Sequence, residues 1–82
     1  MYVYILKSIK KNWFYVGMSG NVEKRFIQHN SGRVISTQYN KPYLMIYKKE
    51  FENRKNARDF EKYLKVRSNK ERLLKDLGYL SF

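Results

Sequence analysis

The chain has 82 residues, 18 Lys and Arg against 7 Asp and Glu, a formal net charge of +11, 43% hydrophobic and 17% aromatic residues, eight of them Tyr, and no Cys. That length gives one domain, residues 1–82, with a thin core. Disulfides and thiolate metal sites are excluded, and a single His leaves only oxygen ligands for a metal. The excess of positive charge points to a polyanionic partner.

Residues 2–7 are β-branched and aromatic and predict a strand, followed by a polar turn over 8–12 and a second strand over 13–18. An antiparallel hairpin is expected. Alternation puts Tyr2, Tyr4 and Leu6 on one face of the first strand and Trp13, Tyr15 and Gly17 on one face of the second. Tyr4 and Tyr15 are therefore expected to share a face. The opening apolar run is too short for a membrane span or signal segment, so a cytoplasmic protein with no membrane partner is expected.

Asn21 is a suitable N-cap for a helix over Val22–Asn30, stopped by Gly32. Its buried side is expected to carry Val22, Phe26 and Ile27, with Arg25 and His29 one turn apart on one face. Residues 31–42 read as a long, functional loop. A third strand follows over 43–51. Asn53 caps a second helix to about Val66, and Ser68 or Asn69 caps a third, with Leu73, Leu74 and Leu77 buried and Gly78 as its end. The order ββαβαα predicts an α+β fold: a three-stranded antiparallel sheet flanked by helices.

Glu61 falls in the stripe Ala57, Phe60, Glu61, Leu64, which has the spacing of a core-facing helix side. A carboxylate there must be paired, hydrogen-bonded or bound to metal. By position alone it reads as a pair with a neighbouring Lys or Arg. Position alone likewise makes Arg25 a solvated cation, His29 a structural residue, and Tyr4 and Tyr15 core or rim aromatics.

The combination carries more. Tyr2-Val3-Tyr4 precedes Phe14-Tyr15-Val16-Gly17-Met18-Ser19. Arg25 follows ten positions after Tyr15, then His29-Asn30-Ser31-Gly32, Pro42 before a Tyr-rich strand, and Ala57-Arg58-Asp59-Phe60-Glu61-Lys62-Tyr63-Leu64-Lys65. This pattern resembles the GIY-YIG nuclease family, and its small stand-alone members in particular. The first half of the signature departs from the family form, since Tyr2 stands where the motif name has Gly.

The resemblance implies a divalent-metal-dependent endonuclease acting on nucleic acid, with DNA, branched or damaged forms included, as the first expectation and RNA left open. It implies that Tyr15 helps to activate the attacking water and Tyr4 supports it. Arg25 binds the scissile phosphate, His29 takes part in proton transfer or phosphate contact, and Glu61 holds one Mg²⁺ or Mn²⁺. The chemistry is consistent. Hydrolysis needs an activated water and neutralised charge, and Mg²⁺ needs only one or two protein carboxylates. Arg offers a fixed fork to phosphate oxygens, and a phenol titrating near ~10 needs neighbouring positive charge to act as a base.

Lys48, Lys49, Arg54, Lys55, Arg58, Lys62, Lys65, Arg67, Lys70, Arg72 and Lys75 would bind phosphate backbone without reading sequence. The alternative is a basic nucleic-acid-binding module with little or no turnover. A monomer is the default oligomeric state.

Overall fold

The computed structural model describes residues 1–80. Strands β1 (Tyr2–Ser8), β2 (Phe14–Ser19) and β3 (Tyr43–Glu50) combine with helices α1 (Val22–Asn30), α2 (Arg54–Lys65) and α3 (Arg67–Asp76) in the order ββαβαα. The sheet is antiparallel throughout and ordered β2-β1-β3, so β1 is central and β2 and β3 are edges. The fold is α+β, as the residue pattern predicts. No helix among the described residues is long and apolar enough to cross a membrane.

Alternation along β1 divides the apolar residues between two layers. Tyr4 and Leu6 face α1 and pack with Val22 and Tyr43, joined by Tyr2, Trp13, Tyr15, Phe26 and Met45. Val3 and Ile5 point the other way and pack with Val16, Ala57, Leu64 and Leu74 under α2 and α3. The expected sharing of a face by Tyr4 and Tyr15 is therefore observed. The β1–β3 register shifts between Ile5 and Leu6, where Ile5 faces Tyr47 and Leu6 faces Met45. This bulge lets the consecutive residues Ile46 and Tyr47 pack against the same cluster, which regular pleating would forbid.

The local signals act as expected in several places. The Asn21 side chain accepts from the Lys24 amide, and the Asn53 side chain accepts from the Asn56 amide. Gly32, with φ +80°, follows α1. Its amide donates to the His29 carbonyl, and the Arg33 amide donates to the Gln28 carbonyl. That bond pair is a Schellman motif, and a left-handed glycine makes it inexpensive.

The structure departs from the expected pattern in four places. Trp13 lies outside β2, because the Ser8 hydroxyl accepts the amides of Lys10 and Lys11 and so organises a turn that carries Trp13 with it. Ile27 is 67% exposed, and His29 occupies the inward position instead. The stripe that faces the sheet is Val22, Phe26 and His29, one step round from Ile27. Neither Ser68 nor Asn69 caps α3. Its first helical residue is Arg67 with Val66 as a cap lacking a side-chain bond, and the Asn69 side-chain amide instead donates to the Tyr63 carbonyl at the end of α2. Of the three leucines expected inside, Leu74 is buried, Leu73 half-buried and Leu77 exposed.

The 31–42 segment is packed rather than open. It contains a short 3-10 turn over Gln38–Asn40 and buries Val34 and Thr37 beneath the end of α1.

Candidate active site

The site begins with a glycine. In the β1–β2 register Tyr4 lies opposite Gly17. A Cβ on residue 17 would sit 2.6 Å from the Tyr4 hydroxyl oxygen and 2.8 Å from Cε2 of Tyr15. The absence of a side chain at Gly17 therefore lets the Tyr4 ring lie across β2 beside Tyr15. The ring centroids of Tyr4 and Tyr15 are 6.5 Å apart, those of Tyr15 and His29 5.1 Å, and those of Tyr4 and His29 5.8 Å.

A buried hydrogen-bonded chain fixes this group. Tyr4 Oη lies 2.8 Å from His29 Nε2, and His29 Nδ1 lies 2.7 Å from Thr37 Oγ1. The Thr37 hydroxyl donates to the Val34 carbonyl at 3.4 Å, and the Tyr43 hydroxyl donates to the Thr37 carbonyl at 2.7 Å. With the Thr37 proton committed to Val34, its oxygen receives Nδ1–H, leaving Nε2 to accept the Tyr4 proton. Tyr4, His29 and Thr37 are almost completely removed from solvent.

Burial decides the charge states here. It pushes the Tyr4 phenol up to about 12, with the Tyr15 phenol adding to the effect and the Arg25 guanidinium opposing it. Burial, assisted by the Arg25 charge, pushes His29 down to about 4. Both groups are neutral near pH 7. His29, sealed in with both ring nitrogens engaged, has no free nitrogen for a phosphate. Tyr15 is half-buried and is the phenol of the pair with access to solvent.

Arg25 extends from α1 to the rim, where its Nη1 donates to Gln28 Oε1 at 3.0 Å. It stands over an open cleft of about 440 Å³, floored by Ser19 and Gly20 and lined further by Gln28, Arg54 and Arg58. Three guanidiniums in one cleft make an anion site.

Glu61 lies on α2 at the margin of the core rather than inside it. Its side chain is 17% exposed, and Oε2 is 3.4 Å from Lys65 Nζ. Its charge also reaches the Tyr4 hydroxyl and favours the protonated phenol.

Tyr4, Tyr15 and His29 thus form one group, and both Arg25 and Glu61 act on it electrostatically. Residue patterns gave no notice of Thr37, Gln28 or the structural role of Gly17. The one signal for Thr37 was its place in a loop too long to be a simple connection. Arg54 and Arg58 were legible only as members of a diffuse basic set.

Comparison with known proteins points to one family. Residues 1–74 match the family model described as the GIY-YIG catalytic domain. A UPF0213 protein of Clostridium perfringens is 36% identical over 75 residues, covering 88% of this chain and 77% of its own. A UPF0213 protein of Staphylococcus haemolyticus is 34% identical over 73 residues, covering 88% of each chain. One from Limosilactobacillus reuteri is 34% identical over 82 residues, covering 94% of this chain and 84% of its own. No solved structure matches.

Proposed function

The chain belongs to the GIY-YIG family, and on that premise we propose that it is a divalent-metal-dependent endonuclease that hydrolyses phosphodiester bonds in DNA. The observation that carries the reading is the convergence of Tyr4, Tyr15 and His29 beside a cleft lined by Arg25, Arg54 and Arg58. Residues 1–82 act in this reading as one catalytic domain.

Each residue then has a role. Arg25 grips the scissile phosphate and neutralises charge that grows in the transition state, with Arg54 and Arg58 holding the adjoining backbone. Tyr15, the accessible phenol, hydrogen-bonds the attacking water and directs it to phosphorus. Tyr4 stays protonated and donates to His29 Nε2, so its oxygen offers a lone pair toward Arg25. His29 and Thr37 are positioning residues that hold Tyr4 in that orientation.

Glu61 would hold the metal, and its surroundings fit a hard cation. Among the described residues no three of His, Cys, Asp and Glu gather. A single partly exposed carboxylate suits Mg²⁺ or Mn²⁺, which fill their remaining positions with water and substrate oxygens. When bound, the ion would add positive charge at the phosphate and acidify water.

The test is a cleavage panel of single-stranded, duplex and branched DNA, with and without Mg²⁺, run beside Glu61→Ala. Metal-dependent cleavage by the wild type and none by Glu61→Ala is expected. Equal traces of cleavage in both would refute the proposal. Steeply salt-dependent binding without cleavage would leave only a basic binding module.

A further inference from the structure

The wall of the first cleft continues along one line of α2. Arg54, Arg58, Glu61 and Lys65 follow one another at offsets of four, three and four, so they rise on a single helix face. Lys65 opens onto a second cleft of about 390 Å³, whose cations are Lys65, Arg67 and Lys70 and whose apolar wall includes Phe14 and Leu74. Phe14 begins β2, whereas Met18 and Ser19, at the other end of the same strand, border the first cleft. Helix α2 therefore runs antiparallel to β2, the edge strand, and the two basic clefts lie at opposite ends of this pair of elements.

We propose that the surface joining the two clefts is a groove that tracks one strand of DNA, with the scissile phosphate near Glu61 and the flanking backbone entering a basic cleft on either side. The placement at Glu61 rests on the catalytic reading above, but the track itself does not. Arg54 to Lys65 spans about 16 Å at the helical rise. Duplex DNA carries a phosphate about every 3.4 Å along each strand, so that length matches roughly five phosphates. Charge complementarity favours a polyanion over any other occupant, since both ends of the groove are cationic while Glu61, the acid between them, is partly neutralised by Lys65. Glu71, which Arg67 Nε meets at 2.9 Å, is the one acidic residue lining the second cleft among the described residues. Phe14, partly buried, lines the same cleft beside the cations.

The test is equilibrium binding, read by fluorescence anisotropy in EDTA so that metal and turnover play no part. A labelled single-stranded DNA of about ten nucleotides is titrated at several salt concentrations. The double variant Arg67→Gln/Lys70→Gln removes two cations of the second cleft and keeps polar side chains in their place. Arg67 is 89% exposed and its pair with Glu71 lies at the surface, so little stability is lost, and far-UV circular dichroism checks the fold. Losing two phosphate contacts lowers the log–log salt slope by about 1.4, at ~0.7 per contact for a single strand. A trinucleotide, which reaches one cleft at a time, shows a smaller loss. The control Arg33→Gln/Lys41→Gln removes the same charge from exposed positions in the 31–42 segment, on the α1 side of the sheet, and leaves the slope nearly unchanged. An unaltered slope in the groove variant, an equal fall in the control, or a fall seen with RNA and not with DNA would each overturn the proposal. Cleavage that fails while the slope falls as expected would count against the catalytic reading alone.

Discussion

Gly17→Ala tests the architecture of the site without removing any polar atom. The added Cβ would lie 2.6 Å from Tyr4 Oη, 2.7 Å from Tyr4 Cζ and 2.8 Å from Tyr15 Cε2. Ordinary contact is about 3.5 Å or more, so the Tyr4 ring must move by most of an ångström. It is 1% exposed and has no room to do so freely. The move breaks the 2.8 Å bond to His29 Nε2. Overpacking costs about 1–3 kcal/mol, and an unpaired buried imidazole nitrogen about 1–3 kcal/mol. A loss of roughly 2–4 kcal/mol is expected, which for a domain of this size lowers Tm by roughly 10–25 °C.

Thermal and urea unfolding measure the loss, and a double-mutant cycle with Tyr4→Phe identifies its cause. In the wild-type background Tyr4→Phe strands His29 and costs about 1–3 kcal/mol. In the Gly17→Ala background the bond is already broken, so the same change costs little. A Tm near that of the wild type, or a cycle additive to within about 0.5 kcal/mol, would refute the coupling of Gly17 to the Tyr4–His29 bond.

Acid titration tests the buried imidazole. His29 binds protons near 6.5 when unfolded and near about 4 when folded, so the unfolded chain takes up protons first. Its contribution is complete above pH 6.5 and is lost as pH falls toward 4, an effect on the order of 1–3 kcal/mol that His29→Gln should remove. Arg25→Ala should reduce kcat/KM by roughly 10²–10³, and Arg25→Lys should restore little, because an ammonium lacks the fork; equal activity in all three proteins would remove Arg25 from the reaction. Thr37→Val should destabilise by about 1–3 kcal/mol, and Thr37→Ser should not. Nitrogen NMR of the His29 ring should show the Nδ1–H tautomer in the wild type and the Thr37→Ser variant alike, and the opposite tautomer in either would contradict the assigned hydrogen-bond direction.

What was legible in the sequence was mostly local. Asn21 and Asn53 cap their helices through their own side chains, and period-two alternation brings Tyr4 and Tyr15 to one face, so neighbouring residues decide both. Ile27 is apolar yet exposed, because it lies one step round the helix from the face that carries Val22 and His29. The burial of His29 depends on Thr37 and Tyr4, which lie eight and 25 residues away. Asn69 looked like a cap for the helix it lies in, and binds the end of the preceding one instead. The bulge at Ile46 leaves no mark in the composition of β3. Among many cations, Arg54 and Arg58 became distinguishable only once the docking of α2 against β2 was known.

The central position of β1 also bears on how the protein is made. During synthesis β1 pairs on one side with β2 as soon as the hairpin closes, yet its other side waits for residues 43–50. Until then a strand carrying Val3, Ile5 and Leu6, all fully buried in the finished fold, presents an unpaired edge. A two-stranded hairpin is marginal in water, so the nascent domain commits to its structure only after β3 has left the ribosome. The large like-charge excess, spread over a short chain, keeps such half-built molecules apart during that interval.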